Sequence, residues 1–249
     1  MYPYIHFIGG EVISSYNLMA GLGLIAGILV FYRISKEKNV PTKIVDNMPV
    51  LFVLIIISAA VSSIFLNNFE HNSWNFSSLK AFVSGFTFYG GLLGGGLTAI
   101  VGSAVICKRK FPLYFMLDIL SVCLMIGHAI GRIGCFLGGC CYGKAANTIF
   151  TVPYPINGAW VRVYPTQLYE SLFLFLLFLY SYRHLANSFG RYLIFYGTFR
   201  FFIEFLRGDD RGIEILLSPS QWISLMLITA GIFVLKAEIT EKRRKTVHC

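Results

Sequence analysis

The sequence predicts an all-α membrane protein of about seven transmembrane helices, and three observations carry that prediction. Hydrophobic residues make up 56% of the 249-residue chain and charged residues only 13%, too little charge to cover a soluble domain of this size. Apolar runs of roughly 20 residues, enough to cross ~30 Å of hydrocarbon, recur along the whole length. Basic residues gather in alternate connections between those runs, the pattern that orients membrane proteins.

Taken in order, the runs fall near residues 12–32, 48–66, 86–107, 113–137, 165–182, 191–207 and 217–236. The first lies behind Glu11 with no basic n-region before it, so no cleavable signal peptide is expected. It ends in Arg33, Lys36, Lys38 and Lys43, and the third run gives way to Lys108, Arg109 and Lys110. The fifth is followed by Arg183 and Arg191, and the seventh by Lys236, Lys242, Arg243, Arg244 and Lys245. Fourteen of the 21 Lys and Arg therefore stand on one side. The opposite connections and span ends hold Lys80, Lys144, Arg162, Arg207 and Arg211. This bias puts the N-terminus outside and the C-terminus in the cytoplasm. The net charge of +9 is then a topology signal facing anionic lipid, not a footprint for nucleic acid. Residues 1–249 read as a single transmembrane domain, with an outer loop at 138–164 containing Pro153 and Pro155 and a basic cytoplasmic tail at 237–249.

A charge inside a span costs a few kcal/mol or more on insertion scales, so it marks a functional site by default. Arg132 sits near the outer end of the fourth run, among Gly131, Gly134, Gly138 and Gly139. Those glycines let a ligand approach the backbone, and the planar guanidinium fork suits a phosphate. Tyr196, Arg200, Glu204 and Arg207 follow at spacings of four, four and three, which places them on one helix face. Phe88-Tyr89-Gly90-Gly91-Leu-Leu-Gly94-Gly95-Gly96 opens the third run with small residues that serve tight packing or make room for a headgroup. Tyr164-Pro165-Thr166-Gln167-Leu168-Tyr169-Glu170 opens the fifth, where Pro165 fits a first helical turn and the polar groups reach the outer interface. Helix capping and aromatic anchoring account for much of that last segment. By topology all four lie at the outer side of the bilayer, at a depth suited to an anionic lipid headgroup.

These motifs, in register over nearly the whole chain, resemble those of the bacterial prolipoprotein diacylglyceryl transferases. Gly131-Arg132-Ile-Gly134-Cys135-Phe136-Leu-Gly138-Gly139-Cys140-Cys141-Tyr142-Gly143 is similar to the family's Gly-Arg-x-Gly-Asn-Phe run and the Asn, Gly, Glu and Gly after it. Tyr89-Gly-Gly-Leu, Tyr164-Pro-Thr-Gln-Leu-Tyr-Glu170 and Tyr196-Gly-Thr-Phe-Arg200 with Glu204-Phe-Leu-Arg207 match three further family segments. The resemblance implies seven spans with the N-terminus outside, in the bacterial inner membrane with the active site towards the outer face. It implies transfer of the diacylglyceryl group of phosphatidylglycerol to the thiol of a lipobox cysteine in a preprolipoprotein, with no cofactor. Carried over by position, Arg132 holds the phosphate and Arg200 stabilises the leaving phosphate. Tyr89 takes the remaining catalytic position. Gly131, Gly134, Cys135, Gly91, Gln167, Tyr169, Tyr196, Glu204 and Arg207 join Arg132 in binding substrate.

The chain departs from the family pattern at several of these positions. Tyr89 and Tyr164 replace family histidines, and a phenol of pKa ~10 is a poor general base at neutral pH. Cys135 stands where the family has Asn and Cys140 where it has Glu. His128, about a turn before Arg132, is either a base or a packed histidine. Cys107 and Cys123 lie in apolar runs and are expected to pack, whereas Cys135, Cys140 and Cys141 admit three readings. They are a disulfide pinning the helix end, a zinc site with His128, or small residues in tight packing. Two other functions stand beside the transferase: a divergent homologue with another acceptor, and a non-catalytic phospholipid binder or transporter.

Overall fold

The computed structural model describes residues 4–6, 12–70, 88–107, 111–156, 158–208 and 217–247. Each of the seven apolar runs is a helix. In chain order these are α1 (Ser15–Glu37), α3 (Met48–Glu70), α4 (Phe88–Cys107), α5 (Leu113–Gly138), α6 (Thr166–Arg183), α7 (Ser188–Ile203) and α8 (Pro219–Val247), with a single turn α2 (Thr42–Val45) before α3. Among the described residues, four stretches are long and apolar enough to cross a membrane: Ser15–Glu37, Thr42–Phe69, Leu113–Gly138 and Pro219–Thr240. On α3, Val50, Val53, Ile57 and Val61 are all more than half exposed. An apolar face of that kind requires lipid as its solvent.

The chain forms two compact units, residues 1–34 with 118–249 and residues 35–117. In the second unit α3 and α4 run antiparallel at close range. A Cβ added to Gly90 or Gly94 would fall 2.4 Å from the Ser62 carbonyl oxygen or 2.0 Å from the Ser62 hydroxyl. Ser62 Oγ donates to the Gly90 carbonyl at 2.6 Å, and Ser58 Oγ to the Gly94 carbonyl at 3.3 Å. Close helix packing, the first of the two roles open to this glycine-rich segment, therefore explains Gly90 and Gly94.

In the first unit α1 crosses α5 antiparallel in the same manner: a Cβ on Gly23 would meet the Gly127 carbonyl oxygen at 2.6 Å, and one on Gly134 would press on Tyr16 and Met19. Met125 and Ala129 of α5 pack with Leu174 and Leu177 of α6 and Tyr192 and Tyr196 of α7. Ser171 Oγ fastens α6 to the Ala129 carbonyl of α5 at 2.8 Å. At the other end of α5, buried Asp118 accepts the backbone N–H groups of Asn187 and Phe189 at 3.0 and 2.8 Å. It thus caps the N-terminus of α7 from a neighbouring helix, where a carboxylate also suits the helix dipole.

Two short hairpins complete the unit, β1–β2 (Tyr4–His6 and Val12–Ser14) and β3–β4 (Val152–Ile156 and Ala159–Val163). The second lies within the connection at 138–164. Pro153 and Pro155 argue against a strand there. The pair is only two strands wide, so an edge tolerates the missing N–H groups. Alternation buries Tyr154 completely between the two prolines.

Candidate active site

Three helix ends and one loop meet around a buried carboxylate. Along α5, His128, Arg132 and Cys135 follow at helical spacing; α6 contributes Gln167 and Glu170 from its first turns; α7 contributes Tyr192, Tyr196 and Arg200. Glu170 is 1% exposed, and a buried charge must be paired to persist. Its Oε1 lies 2.8 Å from Arg132 Nη2 and accepts the Tyr196 hydroxyl at 2.8 Å. His128 Nε2 stands 3.6 Å from the same oxygen, and Arg200 Nη1 3.9 Å from Oε2. His128 Nδ1 is 3.4 Å from the Tyr192 hydroxyl, so the imidazole bridges α7 and Glu170.

Arg200 is held a second time. Its Nη2 lies 2.7 Å from Glu204 Oε2 and donates to Ser220 Oγ at 3.1 Å. Ser218 Oγ donates to Glu204 Oε1 at 3.2 Å. Ser218 is itself the N-cap of α8, accepting the Gln221 N–H on its hydroxyl at 3.2 Å while Gln221 Oε1 accepts the Ser218 N–H at 3.0 Å. This Ser-Pro-Ser-Gln is a capping box with proline at the first helical position. Local sequence thus fixes the helix start that steadies Glu204 and Arg200.

The loop after α5 is held just as firmly. Gly139 (φ +83°) ends the helix, with its N–H on the Phe136 carbonyl and the Cys140 N–H on the Cys135 carbonyl at 3.2 Å. That pair of bonds is a Schellman motif, which lays the side chain after the glycine onto the last full helical turn. Gln167 Nε2 then donates to the Cys140 carbonyl at 2.5 Å and Thr166 Oγ1 to the Cys141 carbonyl at 2.9 Å. No disulfide joins Cys135, Cys140 and Cys141, and their sulfurs all lie within 4.8 Å of one another. Arg132 Nη1 stands 3.9 Å from the Cys135 sulfur. Hydrogen bonds with Cys135 and Cys140, and then the Arg207 guanidinium, hold the Cys141 thiol below its ordinary value, while hydrogen bonds with Cys135 and Cys141, and then burial, push Cys140 up.

Two guanidiniums, Arg132 and Arg200, thus face two carboxylates, Glu170 and Glu204, and a third, Arg207, stands beside Cys141; three cations against two carboxylates leave the net positive site that an anionic headgroup needs. Arg132 Nε and Gln167 Oε1 are buried without a hydrogen-bond partner among the described residues.

Arg132, Arg200, Tyr196, Glu204, Cys135 and Gln167 come together as the sequence suggests. Arg207 is not on the helical stripe: the chain tightens into a 3₁₀ turn at Glu204–Leu206 and leaves it extended, pairing Arg207 with Gly143. Arg207 stays buried, but its place is the Cys141 loop. Tyr169 turns its hydroxyl onto the Phe150 carbonyl and so ties α6 to the outer connection. Gly134 serves the α1 crossing, whereas the Cβ direction of Gly131 is open. Gly91 belongs to the other unit, and a Cβ there would meet the Ala59 carbonyl oxygen at an ordinary 3.7 Å. The Tyr89 side chain lies outside the described residues. Glu170, at the centre, is the residue that sequence reasoning left among the capping groups. Its signal is a carboxylate directly ahead of an unbroken apolar run, the setting in which a charge is functional by default.

A family model described as prolipoprotein diacylglyceryl transferase matches residues 3–237. The chain is 34% identical over 253 residues to a protein of Clostridium tetani named phosphatidylglycerol–prolipoprotein diacylglyceryl transferase, covering 98% of this chain and all of that one. It is 32% identical to a second protein with that name in Clostridium perfringens, covering 96% of both chains. It is also 32% identical to one from Finegoldia magna, covering 91% of this chain and 92% of that one.

Proposed function

The chain belongs to the prolipoprotein diacylglyceryl transferase family, and from that premise we propose that it moves the diacylglyceryl group of phosphatidylglycerol onto a cysteine thiol of a preprolipoprotein lipobox. The observation that carries the reading is the Glu170 cluster, a half-buried and a buried arginine fixed by one buried carboxylate at neighbouring helix ends. In the reaction a thiolate attacks the glycerol carbon that bears the phosphate; the S–C bond forms, the C–O bond breaks and glycerol phosphate departs with the electron pair. Charge grows on the leaving phosphate, so cations aimed at it lower the barrier, and no protein nucleophile is needed.

Arg132, with its unpartnered Nε, binds the phosphate of the incoming lipid. Arg200, held by Glu204 and Ser220, meets the charge that develops on departure. Glu170 and Tyr196 are positioning groups. Glu170 spaces the guanidiniums and lowers their mutual repulsion, and Tyr196 aims the carboxylate. Gly131 leaves room at the backbone, and Gly134, Gln167, Tyr169 and Arg207 complete the proposed substrate site; Gly91 is assigned to substrate binding by its family position alone. By its position in the family motif, Tyr89 is proposed to serve the acceptor thiol as a hydrogen-bonding group.

The topology proposed with this function is seven spans with the N-terminus outside, the tail at 237–249 in the cytoplasm, and the connection at 138–164 on the outer face of the bacterial inner membrane. The distribution of Lys and Arg supports it. The test is purified protein with labelled phosphatidylglycerol and a lipobox peptide. Thioether-linked product that is lost in Arg132→Ala and Arg200→Ala is expected; lipid binding without product from any thiol peptide overturns the reading.

A further inference from the structure

We propose that Cys135, Cys140 and Cys141 form a three-thiolate site for one zinc-class divalent ion, with its fourth position open to the thiol that the reaction alkylates. The second half rests on the transferase reading; the first stands on the structure of the loop. Three features assemble the ligand set. The Schellman motif stacks Cys140 on Cys135. Cys141 adopts φ +65°, a left-handed conformation that a non-glycine residue takes only when its surroundings impose it. Thr166 and Gln167 impose it here by gripping the Cys141 and Cys140 carbonyls, and the third sulfur comes to within 4.8 Å of the other two.

A tetrahedral ion with metal–sulfur bonds of ~2.3 Å needs its sulfurs about 3.8 Å apart, so small χ1 adjustments close the cluster on a metal. Three thiolates around a divalent ion carry one net negative charge. Arg132 at 3.9 Å from the Cys135 sulfur, and Arg207 beside Cys141, offset it. His128, offered by the sequence as a further ligand, is instead engaged by Glu170 and Tyr192. Among the described residues no fourth ligand joins the three cysteines. Three protein ligands with one open position is the arrangement of catalytic rather than structural zinc. Cys140 is exposed, so the open side is reachable.

The chemistry suits the site. A thiol that coordinates zinc releases its proton to solvent and stays nucleophilic as the bound thiolate. Its sulfur then forms the S–C bond, the C–O bond to phosphate breaks, and glycerol phosphate leaves against Arg132 and Arg200. The metal undergoes no redox change. A chain with tyrosine in place of the family histidine thereby gains another means of deprotonating its acceptor.

The experiment combines metal analysis with cobalt substitution of the full-length protein in detergent. About one zinc per chain is expected, lost in Cys135→Ser, Cys140→Ser and Cys141→Ser and retained in Cys123→Ser. The Co2+ form should show sulfur-to-cobalt charge-transfer bands that shift with a lipobox peptide and stay put with its Cys→Ser analogue. Chelation of the wild-type protein should reduce transfer at least 100-fold, reversibly with Zn2+, while phosphatidylglycerol binding is unchanged. Metal-free protein with a Cys135–Cys140 disulfide, or undiminished transfer after chelation, overturns the proposal and leaves the transferase standing. Co2+ bands indifferent to the peptide thiol overturn the open fourth position. Bound zinc with no transfer to any thiol peptide overturns the transferase reading instead.

Discussion

Replacing Glu170 by glutamine isolates the charge at the centre of the site while keeping its shape. In the native protein Oε1 takes Arg132 and Tyr196 at 2.8 Å each, and Oε2 faces Arg200 at 3.9 Å. Removing one partner of a buried ion pair costs about 3–5 kcal/mol, because the charge left behind is uncompensated. The glutamine carbonyl still accepts one hydrogen bond, so roughly 2–3 kcal/mol should be lost, a fall in kcat/KM of about 30- to 150-fold. Initial rates of label transfer from phosphatidylglycerol to a lipobox peptide measure it. In Arg132→Ala the substitution should have a much smaller further effect, since the two groups act as a unit. A Glu170→Gln protein within threefold of wild type would refute the claim that this carboxylate sets the guanidiniums.

Arg200→Lys keeps the charge but loses the fork that spans Glu204 and Ser220, so kcat should fall on the order of 10²- to 10³-fold with phosphatidylglycerol binding retained through Arg132. Single-turnover rates beside equilibrium lipid binding separate the two effects. Gly23→Ala places a Cβ 2.6 Å from the Gly127 carbonyl oxygen and forces α1 off α5. The expected loss is about 1–3 kcal/mol, read as a lower melting temperature in detergent. Asp118→Ala removes the cap from Asn187 and Phe189 and should cost ~1–2 kcal/mol of stability, with the specific activity of the folded fraction unchanged.

Much of this was legible in the sequence, for reasons that separate by length scale. Seven apolar runs gave seven helices because composition and run length act locally and helices keep their backbone bonds internal. Arg132 and Arg200 stood out because a guanidinium in an apolar run is costly and marks a functional site by default. Arg207 did not stay on the stripe because the tightening at Glu204 is set by contacts with the Gly143 loop, which spacing does not encode. Glu170 was masked by its neighbours: after Pro165 a carboxylate three residues along from Gln167 resembles a capping group until Arg132, from another helix, is seen against it. The Pro153–Pro155 strand was hidden for the opposite reason, since local propensity opposes it and cross-strand pairing with Arg162 and Trp160 decides the outcome.

Attack at the glycerol carbon, with phosphate leaving against Arg132 and Arg200, is decided by where an oxygen goes. Phosphatidylglycerol carrying ¹⁸O in the bridge between the diacylglycerol carbon and phosphorus is incubated with the protein and a lipobox peptide, and both products are weighed by mass spectrometry. The label is expected to leave entirely with glycerol phosphate, with one thioether formed per glycerol phosphate released. Label retained on the diacylglyceryl product would place the break at phosphorus and contradict it.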